Sequence, residues 1–210
     1  MYFSLENPFM RFMSKVADFI LLNLLWLICS LPIFTIGAST TALYAMMFKI
    51  LKNEEGYLVK GFLKAFQQNF KKSTLMWLII LPLAAILGLD LWVGSVSASS
   101  FLRGLRLPIL ILAILLVSVS VYAFALQARF ENTVKNTMKN AWTLTFVNLP
   151  YTLLILILTV GTVVFTFSDA RTMAFGAVVW LFLGVSLVTW LNAMLLSKIF
   201  GMLEEQASKE

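Results

Sequence analysis

Residues 16–51 read VADFILLNLLWLICSLPIFTIGASTTALYAMMFKIL, and only Asp18 and Lys49 in this stretch carry charge. Two apolar runs, about 16–35 and 37–51, meet at Pro32-Ile33-Phe34-Thr35-Ile36-Gly37. Pro32 has no amide hydrogen to donate and disfavours helical backbone in the residue before it, so it ends the first run as a helix. Thr35 and Gly37 suit a turn and a new helix start. The stretch therefore predicts a tight helical hairpin, apolar enough to sit in a membrane.

Outward from the hairpin, four further apolar runs lie at about 74–94, 106–127, 146–168 and 174–199. A helix needs about 20 apolar residues to cross a hydrocarbon core roughly 30 Å thick. The fold expected is all-α: a single polytopic membrane domain, 1–210, with six transmembrane helices. Composition agrees, with 60% apolar and 12% charged residues among 210 and a mean hydropathy of +0.91. Average soluble domains carry about 25% charged residues. The single cysteine, Cys29, excludes an internal disulfide scaffold. With no histidine, a zinc site is not expected, nor is any other metal or cofactor.

Lysine and arginine are sorted. Thirteen of the 16 basic residues fall in the N-terminal segment, the 49–72 and 129–139 loops and the tail, whereas Arg103, Arg106 and Arg171 fall on the other side. The positive-inside rule then predicts both termini in the cytoplasm. The net charge of +6 fits contact with anionic lipid at span ends and calls for no nucleic acid.

Two basic segments look alike at an offset of 76 residues: Glu55, Ala65, Phe66 and Phe70 fall on Glu131, Ala141, Trp142 and Phe146. Leu58, Phe62, Ala65 and Phe66 match Val134, Met138, Ala141 and Trp142, each set forming one stripe of an amphipathic helix. Glu6, Phe9, Met13 and Val16 form a fainter third copy at offset 49. The pattern predicts interfacial amphipathic elbow helices at about 5–15, 55–71 and 131–145, each leading into a span. They either fix helix tilt at the inner surface or form a docking surface through Lys60, Lys64, Phe66, Lys135, Lys139 and Trp142.

Catalysis is not expected. The commonest general base is missing, Asp18 and Asp90 lie near opposite membrane faces, and Cys29 has no activating base in view. No phosphate-binding glycine motif is present. Polar residues within the spans form a candidate cluster of Asn23, Trp26, Ser30, Thr35, Thr41 and Asn192. Asn23 and Asn192 lie at similar heights in the first and sixth spans. Their mutual hydrogen bond, of about 0.6 kcal/mol on average, is one reading of the cluster, and a ligand crevice is the other. Small residues at 37–42 permit close helix packing. Pro82 and Pro150 are candidate kinks in the third and fifth spans.

The run Asn23-Leu24-Leu25-Trp26-Leu27-Ile28-Cys29-Ser30-Leu31-Pro32-Ile33-Phe34-Thr35-Ile36-Gly37, continued by Ala38 to Tyr44 and by Glu55-Gly56-Tyr57 and Asn69-Phe70-Lys71, resembles the signature of the YesL family of bacterial membrane proteins of unknown function. That resemblance implies a six-span protein of Gram-positive-type bacteria, often encoded beside carbohydrate-uptake ABC transporters and polysaccharide-degrading enzymes. Residues 141–150 are also similar to the coupling loop of ABC importer permeases, with Glu131-Asn132-Thr133 and Asn140 where those loops have Glu-Ala-Ala and glycine. The function expected is a non-enzymatic accessory to carbohydrate uptake that contacts ABC transporter subunits or a membrane sensor. A small-molecule or lipid transporter in its own right, binding between the first hairpin and the sixth helix, is the alternative.

Overall fold

The computed structural model describes residues 8–54, 56–96 and 100–207. Nine α-helices are described, in the order α1 (Pro8–Cys29), α2 (Ile36–Leu51), α3 (Leu58–Val96), α4 (Ser100–Arg129), α5 (Val134–Val147), α6 (Leu149–Leu156), α7 (Thr162–Thr166), α8 (Ala170–Val179) and α9 (Val185–Ala207). A 3-10 turn at Ile33–Thr35 precedes α2, and π-helical turns at Ile157–Gly161 and Trp180–Gly184 join α6 to α7 and α8 to α9. Six stretches are long and apolar enough to cross a membrane: Phe12–Cys29, Ile33–Leu51, Leu58–Val96, Gly104–Arg129, Leu149–Thr166 and Ala170–Glu205.

The first hairpin turns at Pro32. The Thr35 hydroxyl donates to the carbonyls of Cys29 and Pro32, both at 2.6 Å, so one side chain holds the turn closed. From α3, the Trp77 indole donates to the Ile33 carbonyl at 2.7 Å and fixes the tip against the next helix. Gly37 makes that approach possible. A Cβ there would meet the Ser73 carbonyl oxygen at 2.5 Å and Trp77 Cβ at 2.6 Å, with no room to give. Further along the same seam, a Cβ on Gly61 would meet the Met46 sulfur at 2.9 Å.

The hairpin tip is thus level with Trp77, near the middle of α3. At about 1.5 Å per residue, the 19 residues from Trp77 to Val96 carry α3 roughly 28 Å further. Beyond Ile80 this distal half and its neighbour in α4 are largely exposed, with Leu83, Ile86, Leu89 and Trp92 facing outward. The packed core lies at the other, proximal end, where Met46, Phe62, Tyr122 and Phe200 from four helices are fully buried. Pro82 and Pro108 stand within α3 and α4. Pro150, expected as a kink, instead stands in the first turn of α6, where its missing amide hydrogen costs nothing.

The elbow expected at 55–71 is not a separate helix. It forms the first turns of α3, which runs unbroken through Lys71, Lys72 and Ser73. No proline or glycine interrupts that junction, and buried Ser73 bonds Thr41 of α2, so the helix is held in line as it passes. The first elbow is likewise continuous with α1 from Pro8 onward. Its residues 5–7 lie outside the described residues, as do the side chains of Arg11 and Arg103. Only the stretch expected at 131–145 forms a helix of its own. Thr133 starts α5 by accepting the Asn136 amide at 3.4 Å. Asn148, at φ −110° and ψ 46°, breaks it before Pro150. The three segments therefore do not share one structural unit, and the repeat has no threefold counterpart in the fold.

Candidate functional site

Asn23 is fully buried on α1 and spends its whole side chain on the second π turn. Its Nδ2 donates to the carbonyls of Trp180 and Leu181 at 3.0 and 2.8 Å, and its Oδ1 accepts the Ser186 amide at 3.0 Å. A π turn bonds i to i+5, so carbonyls and amides at its edges lack their ordinary helical partners. One carboxamide supplies both kinds of partner. The expected bond between Asn23 and Asn192 is therefore not made. Asn192 donates to the Thr159 hydroxyl at 2.9 Å, in the other π turn.

The remaining members of the expected polar cluster separate. Thr35 closes the hairpin turn, as described above. Thr41 lies 3.0 Å from the Gly37 carbonyl and 2.9 Å from the Ser73 hydroxyl, where it seals α2 to α3. The Ser30 hydroxyl is buried and unpartnered. The Trp26 indole donates to Thr40 at 3.1 Å. Trp26 and Asn192 are the two that share a cavity.

That cavity is a crevice of about 450 Å³ to which every long apolar stretch contributes: Trp26, Tyr44, Trp77, Phe124, Thr159 and Asn192 stand for the six in chain order. The walls are aromatic and aliphatic, and none of the described lining residues is charged. Tyr44, Thr159 and Trp180 are not singled out by the sequence. A threonine or tryptophan in an apolar run carries no local signal of a π turn or of a partner more than thirty residues away.

At the proximal end, a polar contact ties α5 to the bundle and an ion pair ties α4 to α9. Gln127 donates to Asn69 at 3.1 Å and accepts from Thr137 at 3.5 Å, so one amide joins α4, α3 and α5. Arg129 forms a two-pronged pair with Glu204, both contacts at 2.9 Å. Its guanidinium also lies 5.6–5.9 Å from the ring centres of Phe48, Phe130 and Phe200. A pocket of about 560 Å³ opens between the end of α4, α5 and α9, bordered by Phe130, Asn140 and Glu204. Lys60 and Lys64 are exposed on α3, and Lys135, Lys139 and Trp142 are exposed on α5. Phe66 is half-buried against Phe70, at 5.5 Å between ring centres. Among the described residues, no three His, Cys, Asp or Glu side chains come together to hold a metal.

Helices of this length and hydropathy, with leucines and aromatics turned outward along them, define a multi-pass all-α membrane protein. A family model described as a protein of unknown function, DUF624, matches residues 19–91. The uncharacterized protein YteU of Bacillus subtilis (strain 168) is 31% identical over 157 residues, which cover 72% of this chain and 70% of that protein. The chain belongs to this family. No solved structure matches it.

Proposed function

We propose that the chain is a non-enzymatic protein of the bacterial inner membrane, with both termini in the cytoplasm, that serves carbohydrate uptake by contacting an ABC transporter subunit or a membrane sensor. The observation that carries this reading is α5. It is a short, capped helix set off from the spans, fastened by Thr137 to Gln127, and it leaves Lys135, Lys139 and Trp142 exposed. Lys60 and Lys64 extend the same basic character along the first turns of neighbouring α3. Such a surface complements an acidic docking face, and the adjoining pocket has room for a protruding side chain. The sorting of lysines to this end supports a cytoplasmic placement. The exposed Trp142 and Phe146 beside lysines support an interfacial position for α5. The likeness to the YesL signature supports the link to carbohydrate uptake.

The test is co-purification after mild detergent extraction, comparing the native chain with the K60E/K64E/K135E/K139E variant. The native chain should retain transporter or sensor subunits, and the variant should lose them while inserting normally into the membrane. Equal retention by both would remove the docking reading. The crevice favours a second reading, a small-molecule or lipid transporter in its own right. Sugar or lipid movement by the purified chain alone in liposomes would put that reading first.

A further inference from the structure

The turn between α1 and α2 is built inside out for a loop in water. Leu31, Ile33 and Phe34 are each more than half exposed, and Ile28 beside them is exposed as well. The hydroxyls of Ser30 and Thr35, by contrast, are turned into the protein. No charged residue stands between Asp18 and Lys49. The backbone closes on itself: the amides of Ser30, Leu31, Thr35 and Ile36 donate to the carbonyls of Trp26, Ile28, Pro32 and Ile33. The Thr35 hydroxyl and the Trp77 indole add donors to the Cys29, Pro32 and Ile33 carbonyls. Non-helical backbone needs such internal partners wherever no water reaches it. The turn between α7 and α8 shows the opposite pattern, with Ser168, Asp169 and Arg171 exposed and Asp169 capping α8.

Two neighbouring helices serve as rulers for the depth of this tip. In α3 the uncharged run between Lys72 and Asp90 rises about 27 Å, close to the hydrocarbon thickness of roughly 30 Å. Trp77, which holds the tip, stands only five residues beyond Lys72, so about 20 Å of that run lies past it. On the other flank, Asn23 of α1 meets the turn at Trp180–Gly184. From Asn23 to the end of α1 the rise is about 9 Å, whereas Trp180 still lies about 14 Å short of Arg171. By both rulers the hairpin ends before its neighbours reach their distal charges.

We propose that this hairpin is re-entrant: it enters the bilayer from the side of Lys49 and Lys52, turns at residues 31–34 against acyl chains, and returns without reaching the water beyond. Four stretches then cross the membrane, and both termini stay on one side because that number is even. That this side is the cytoplasm rests on the placement proposed above. The partner of the exposed tip is the hydrocarbon interior of the bilayer.

Single cysteines in a C29S background test this, since Cys29 is the one cysteine of the chain. L31C and F34C mark the tip, S168C the distal turn and Y57C the proximal loop, all at exposed positions whose side chains add little packing. A membrane-impermeant maleimide added to whole cells should label S168C, should reach Y57C only after permeabilisation, and should leave L31C and F34C unlabelled in both conditions. Labelling of the tip from outside to the same extent as S168C would overturn the proposal. The same cysteines are then coupled to bimane in detergent, and the protein is returned to liposomes whose lipids carry bromine either near the headgroup end or near the middle of their chains. Mid-chain bromine should quench the tip more than shallow bromine does, and the order should reverse at S168C. The S168C order at the tip would place it at a membrane face and overturn the proposal. A tip shielded from maleimide yet quenched by neither lipid would overturn it too, because protein, such as a second copy of the chain, would then cover the tip. Exchange of the S168C and Y57C labelling would overturn the cytoplasmic placement alone, while a shielded, deeply quenched tip would still support re-entry.

Discussion

Along α3, Phe62, Ala65, Ser73 and Met76 are buried against neighbouring helices, whereas Leu83, Ile86, Leu89 and Trp92 point outward. One helix thus passes through two kinds of surroundings. Its proximal half is packed as a soluble core would be, with Ser73 bonded to Thr41 and Asn69 to Gln127, and the Thr74 hydroxyl buried without a partner. Its distal half presents side chains to whatever surrounds the bundle. Outward leucines in such number fit hydrocarbon and not water. The contrast separates residues that hold the fold together from residues that hold the protein in the membrane.

Truncation probes the contrast most strongly. Phe62→Ala opens a cavity in the proximal core and should cost about 3–5 kcal/mol. Ile86→Ala, in the distal half, should cost far less, since lipid refills the space. Thermal unfolding in detergent would rank the two, and a similar loss from both would mean that the distal half is packed as well. Gly37→Ala comes next. It forces α2 off the Ser73 carbonyl and should cost about 1–3 kcal/mol, read as a lowered denaturant midpoint. Asn23→Leu removes three bonds to the second π turn. At membrane-protein values of about 0.6 kcal/mol per bond, the loss should be roughly 2 kcal/mol. Hydrogen exchange at the Ser186 amide should accelerate in that variant, and unchanged protection would show that α9 holds its turn without α1. The smallest effect has the opposite sign. A Cβ at Gly88 would meet nothing within 4 Å, so Gly88→Ala should stabilise by about 0.5–1 kcal/mol through helix propensity. Parallel denaturant titrations would show the Gly37→Ala and Gly88→Ala midpoints moving apart.

The parts of this fold readable from sequence are those decided by neighbours in the chain. Pro32 ends the first helix of the hairpin by such a local rule, whereas Pro150 reads as a kink in the sequence and in the fold opens α6. The elbow at 55–71 cannot be told from the start of a longer helix. An amphipathic stripe has the same period whether the helix lies flat or continues, and no residue between Lys72 and Leu75 forces a bend. The candidate site is harder still. Asn23 and Asn192 stand out as polar residues in apolar surroundings. Their true partners, however, are π turns, which depend on packing across 157–163 residues in the first case and 33 in the second. Pairing the two asparagines by height assumes unbroken α-helices, and the π turns take away that assumption.

The turn at Trp180–Gly184 also sets a phase. Each helical residue advances the chain by about 100° around the axis, and a π turn holds one residue more than an α turn, so a substitution that drew this segment into regular α-helix with no residue removed would rotate everything after it by about that angle. Asn192, Leu196, Ile199 and Phe200 all lie downstream and are all buried. The crevice's polar group and the proximal core of the last helix are therefore timed by the same five residues, and a change that loses the first should misalign the second.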